Sequence, residues 1–132
     1  MKRPFGLPKS ARLKSRKLIS RLFSEGEHVF NYPFKLVYLY VPEPEETEMF
    51  KMGVSVSKKR IRSAVKRNLV KRRTREAYRI HRNAILGSLE PADGWFAIML
   101  IYVGNQIEPY ALIEQGMKTV LKKMKHAVRP RS

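Results

Sequence analysis

The sequence predicts an α+β fold, a two-layer α/β sandwich whose elements run helix, strand, strand, helix, strand, helix. Three observations predict it. Two segments, Phe34 to Val41 and Met49 to Ser57, alternate with period two, as half-buried strands do. Two others, Ser63 to Arg82 and the stretch after Pro109, place apolar residues at helical spacing. A nine-residue run, "WFAIMLIYV" from Trp95, has the unbroken apolarity of a strand covered on both sides, so it belongs in the middle of a sheet.

At 132 residues the chain is expected to hold one domain, residues 10–128. Residues 1–9 carry two prolines and a glycine among charges and read as a flexible basic arm, and 129–132 read as a basic tail. The first helix fits Lys14 to Glu25: Leu18, Ile19, Leu22 and Phe23 share one side, and Gly26 stands as its stop. In the first strand Phe34, Leu36, Tyr38 and Tyr40 point one way, and Lys35, Val37, Leu39 and Val41 the other. The acidic segment "PEPEETE" reads as a hairpin loop to the second strand. That strand sorts Phe50, Met52, Val54 and Val56 onto an apolar face and Lys51, Gly53, Ser55 and Ser57 onto a polar one. The segment "SLEPADG" is a loop. The last helix starts near Pro109, a favourable first-turn position, and repeats Leu112, Ile113, Met117, Val120, Leu121 and Met124. Both long helices are expected on the apolar sheet face. The polar face should stay partly open, bordered by the first helix.

Charge points to a partner. There are 28 basic and 11 acidic residues, a net +17, beyond what solubility asks. Twelve basic residues and one acid lie between Lys58 and Arg82, whereas Glu43, Glu45, Glu46 and Glu48 are confined to one loop. On a helical projection Val65, Leu69, Val70, Ala77 and Ile80 form an apolar arc. Opposite them stand Arg67, Asn68, Lys71, Arg72, Arg75, Arg79 and Arg82, with Ala64 among them. A merely solvated face mixes signs; Arg67, Lys71, Arg75 and Arg79 set like charges at each i,i+4 step, which opposes the helix unless a polyanion relieves it. Glu76 is expected to pair locally with a Lys or Arg of its helix. Nucleic acid is the first candidate partner.

Other classes are less well supported. Without cysteine there are no disulfides or thiolate metal sites, which suits a reducing compartment. The longest apolar run is too short to cross a bilayer, and no signal segment follows the basic start, so a soluble cytoplasmic protein, monomeric in isolation, is expected. His28, His81 and His126 are scattered without metal-ligand spacing, and neither a phosphate-cradling glycine loop nor a nucleophile motif occurs. No catalytic residue, metal site or protein-bound cofactor is therefore expected. A structural RNA-binding protein remains open from composition. Insertion of the basic helix into a DNA major groove lacks a second helix placed as in a helix-turn-helix, and membrane-surface binding lacks aromatic anchors.

The run "GVSVSKKRIRSAVKRNLVKRRTREAYR" resembles the signature region of the bacterial ribonuclease P protein subunit, with Ala64, the pair Arg67 and Asn68, then Lys71, Arg72 and Arg75 at the signature positions. The likeness extends over about residues 10–125. It implies an RNA-binding subunit that assists a catalytic RNA, with its magnesium ions, in removing the 5′ leader of precursor tRNA. It also implies a left-handed β-α-β crossover. By that resemblance Lys66, Arg67, Asn68, Lys71, Arg72, Arg75 and Arg79 meet the RNA subunit. Phe23, Val37, Ser55 and Ser57 line a cleft for the single-stranded leader, with Lys58 and Lys59 at its edge. Leu69 replaces a frequent arginine, and Ile19 and Val37 stand where aromatics are frequent. The connection "RIRS" is one residue longer than common, leaving the roles of Arg60 and Arg62 open.

Overall fold

The computed structural model describes residues 11–43, 49–89 and 94–128. The expected arm and basic tail lie outside them. The elements are α1 (Arg16–Glu25), β1 (Glu27–Asn31), β2 (Phe34–Val41), β3 (Phe50–Val56), α2 (Ala64–Leu86), β4 (Trp95–Tyr102) and α3 (Tyr110–Ala127). The four strands form one mixed sheet in the order β1-β2-β4-β3.

Two expectations about the strands need correction. The β2 and β3 strands are not a hairpin: β4 lies between them, antiparallel to β2 and parallel to β3. Because β3 and β4 are parallel, their connection must cross over the sheet, and α2 makes that crossover. The second correction is β1, a strand that the alternation pattern does not predict. It pairs antiparallel with β2 through a two-residue turn at Tyr32 and Pro33. The sequence "EHVFN" is short and largely polar, so alternation alone gives it no weight.

Alternation does assign the faces. Phe34, Leu36, Tyr38, Phe50, Met52, Val56, Ile98, Leu100 and Tyr102 share the larger core with α2 and α3. On the other face Val37, Val41, Trp95, Ala97 and Met99 pack with Leu13 and Leu22 beneath α1. The helix α1 therefore covers β2 and β4, and what remains open of that face lies beyond it. Burying β4 on both faces explains its apolar run: each side chain displaces water, worth about 1.5–3 kcal/mol for a large aliphatic residue.

Helix ends are locally determined. Ser15 and Ser63 accept from the backbone N–H of Leu18 and Lys66, each capping its helix by about 1 kcal/mol. At Gly26 the chain passes so close to α1 and β2 that a Cβ would sit 2.4 Å from the Leu22 carbonyl oxygen and 2.6 Å from Val37 Cγ1. Gly116 likewise lets α3 lie on the β1–β2 turn, where a Cβ would meet Pro33 Cδ at 2.6 Å.

The face of α2 turned to the core is rotated from the expected arc. Val70, Thr74, Ala77, Tyr78, Ile85 and Leu86 are buried, whereas Val65 is 79% exposed and Ile80 is also exposed. Thr74 enters the core because its hydroxyl donates to the Val70 carbonyl at 2.8 Å and leaves no donor unpaired. A reading based on apolar identity cannot see that, and it favours Val65 and Ile80 instead.

Candidate RNA interface

The first surface is the outer side of α2. Lys66, Asn68, Arg72 and Arg75 are exposed, and Lys71 is half-buried at its margin. Successive steps from Arg67 to Lys71, Arg75 and Arg79 turn by about 40° each, so they form one oblique stripe. Two of its members are internally engaged. Arg67 Nη1 donates to the carbonyls of Ile61 and Arg62, at 3.0 and 2.7 Å, and so ties the start of α2 to the preceding connection. Arg79 donates to both Glu76 oxygens at 2.9 Å, the local pairing expected for that carboxylate.

Like charges are closer than the sequence alone suggests. Residues 11–13 run beside β3, where Leu13 N donates to the Met52 carbonyl at 2.9 Å. This brings the Arg12 charge within electrostatic range of Arg75. Although the residue as a whole is exposed, loss of part of the water around its guanidinium, and secondarily the Arg12 charge, push Arg75 below its ordinary pKa; arginine remains charged in the working range nonetheless. Arg12 is thus a member of the cationic surface that helical spacing could not reveal, because a bridge to β3 places it there. Like charges brought together raise the energy of this face, the more so where water is partly excluded. Packing of α2 can carry that cost, and a phosphate placed between the charges removes it.

The second surface is the sheet face beside α1. Strand register sets its residues in rows across four strands. One row runs His28, Val37, Met99, Gly53; the next runs Phe30, Lys35, Ile101, Ser55. The middle of the first, Val37 and Met99, is capped by α1, and Val37 is only 5% exposed there, part of the apolar support under the helix. Its place among the expected lining residues is therefore beneath the surface. Lys35, Ile101 and Ser55 in the next row are half-buried. Phe23 stands on α1, 53% exposed, on the same flank as Ile19.

Beyond β3 the chain turns through Ser57, Lys58 and Lys59, all exposed. Ser57 Oγ accepts from the Lys59 backbone N–H at 3.1 Å, and the Ser57 carbonyl accepts from Arg60 and Ile61. The lengthened connection is pinned by Arg60, whose Nη1 donates to the Val103 carbonyl at 2.8 Å and to Asn105 Oδ1 at 3.2 Å. Arg60 is thus a strut between the loops that follow β3 and β4, and Arg62 is exposed at the start of α2.

Among the described residues no three His, Cys, Asp or Glu side chains converge as metal ligands, and no helix there is long and apolar enough to cross a membrane. Fold and surface define the class: a small α+β protein with one strongly cationic helix face next to a half-open sheet face. The sequence description of the family Ribonuclease P matches residues 7–125. The ribonuclease P protein component of Porphyromonas gingivalis is 38% identical over 117 residues, 89% of this chain and 85% of that one. That of a Picosynechococcus species is 30% identical over 116 residues, 88% and 91% of the two chains. The solved ribonuclease P protein of Staphylococcus aureus superposes with a TM-score of 0.68 at 28% identity, covering 89% of this chain and 97% of that one. The Thermotoga maritima protein, at 22% identity and a TM-score of 0.62 over 85% and 96% of the two chains, shares the fold. The chain belongs to the ribonuclease P protein family. Membership associates it with ribonuclease P and with an RNA partner.

Proposed function

We propose that this chain binds the ribonuclease P RNA subunit through α2 and the single-stranded 5′ leader of precursor tRNA along the sheet face, assisting endonucleolytic removal of that leader in the cytoplasm. The observation that supports it best is the stripe of like charges on α2, crowded further by Arg12 and paired among the described residues with Glu76 at Arg79. In this reading Lys66, Asn68, Lys71, Arg72 and Arg75 contact RNA phosphates. Arg67 and Arg79, each already holding a local partner, shape the stripe and offer their remaining donors. The hydrolytic centre lies in the RNA, which with magnesium supplies the chemistry of phosphodiester cleavage.

The protein's part is electrostatic and positional. RNA enzyme and precursor are both polyanions, and a cationic body between them lowers their repulsion, tightening substrate and the metal ions that the RNA holds. Lys58, Lys59, Ser55 and Ser57 offer phosphate partners at one end of the sheet face, and Phe23 offers a ring for a base. Counterion release makes assembly steeply salt dependent.

Reconstitution with a bacterial ribonuclease P RNA at low magnesium tests this. The protein is expected to accelerate cleavage of a leader-bearing precursor and to favour it over mature tRNA in binding. An unchanged cleavage rate on adding the protein would sink the proposal; acceleration without preference for the leader would leave a scaffold that binds only the RNA subunit.

A further inference from the structure

The half-open row of the sheet face ends in an aromatic side chain that the sequence pattern does not single out. Phe30 lies on β1, paired with Lys35 on β2, and strand alternation turns both toward the face that carries α1. The ring is 51% exposed and stacks on no other aromatic among the described residues. A single exposed ring is ordinary on a protein surface; the surroundings of this one give it weight. The two rows of that face, His28 to Gly53 and Phe30 to Ser55, contain no carboxylate, and Lys35 is the cross-strand neighbour of the ring. At the strand edge Lys123 Nζ, reaching from α3 on the other face, donates to the Phe30 carbonyl at 2.8 Å and fixes the β1 backbone there. A ring beside Lys35, continuous with the half-buried Ile101 and Ser55, fits a base on the ring and a phosphate on the lysine.

We infer that Phe30 and Lys35 form a base-and-phosphate subsite for single-stranded RNA at the β1 edge of the sheet face, extending the path that starts at Ser57 and Lys58. The inference rests on the leader reading above. It also accounts for the non-aromatic side chains at Ile19 and Val37: stacking surface missing from α1 and β2 is offered one row further along, on β1. From β3 to β1 are three strand spacings of about 4.8 Å, roughly 14 Å, or about four nucleotides stacked at roughly 3.4 Å each. The subsite therefore acts only on leaders long enough to cross the sheet.

Leader length is the variable that tests it. Holoenzymes reconstituted with wild-type protein, Phe30→Ala, Phe30→Tyr and Lys35→Gln are titrated with precursors whose leaders grow one nucleotide at a time. Wild-type affinity is expected to rise in two stages, with the second lost in Phe30→Ala by about fivefold or more, weakened in Lys35→Gln and restored in Phe30→Tyr. Short-leader precursors should bind all four alike. In a second measurement on the wild-type holoenzyme, 4-thiouridine scanned along the leader should cross-link the β1 peptide from the distal positions. Equal loss at every leader length, or no loss at any, overturns the subsite, as does cross-linking confined to peptides of α1 and β3. Loss of self-association in Phe30→Ala with leader affinity intact would assign the ring to a second copy of the chain and also overturns it. If wild-type affinity ignores the leader altogether, the leader reading fails and the subsite falls with it; a dependence on short leaders alone removes only the subsite.

Discussion

The two faces of the sheet are covered unequally. On one side α2 and α3 share an apolar core of twenty-one buried residues among those described; on the other, the cluster beneath α1 has seven, Leu22 of the helix included. The thick side contains buried tyrosines, methionines and aliphatic residues from five elements, and its helices turn charge outward. The thin side is closed only where α1 crosses β2 and β4, leaving small and polar residues of β3 and the ring of β1 at its margin. Stability is concentrated where surface is wholly buried, and the proposed leader path runs where it is not. A sheet can serve both purposes only because period-two alternation lets neighbouring residues answer to different faces.

That contrast can be broken from either side. The largest expected effect is on the thick side: Ile98→Ala, at a fully buried position of the central strand, should cost about 2–5 kcal/mol of unfolding free energy in a denaturant titration. Next comes the α2 surface. Arg72→Glu with Arg75→Glu should weaken binding to the RNA subunit by more than about tenfold, with the slope of log affinity against log salt becoming shallower by roughly one for each phosphate left without its cation. Unfolding should barely change, because both side chains lie on the exposed surface of the helix. On the thin side, Phe23→Ala should reduce leader discrimination by roughly 1–3 kcal/mol while moving stability by less than about 0.5 kcal/mol. Equal loss in both measurements would return that ring to the core.

The smallest effect concerns the β1–β2 turn. The Tyr32 hydroxyl donates to the Glu108 carboxylate, and this bond, with burial and the carboxylate charge, raises the phenol to about 12. A folded pKa above the unfolded value near 10 means that the contribution is fully present below about pH 10 and is lost as pH rises toward about 12. Stability followed across that window should fall in the wild type and fall less in Tyr32→Phe.

Much of this architecture is legible in the sequence. The alternation of β2 and β3 separates the faces, the apolarity of β4 places it centrally, and the charge spacing of α2 identifies its outer side. Lateral strand order is not legible: local patterns say that a strand has two faces, not which strand lies beside it, so β2 and β3 read as a hairpin although β4 separates them. The inner arc of α2 escapes a reading by apolar identity because Thr74 satisfies its own hydroxyl. Strand β1 escapes it because its polar residues suit an edge. Arg12 and Phe30 come into view only through pairings with β3 and β2 that no sequence spacing encodes.

A hydrogen atom at Gly26 sets the gauge of the groove. With carbon there, α1 would have to rise from β2, and the ledge between helix and sheet would change its depth along its whole length. If the proposed leader path holds, adaptation to different leaders is thereby channelled away from the frame and into the furnishings. Rings could then be exchanged or moved along the floor while the spacing that receives them is held constant.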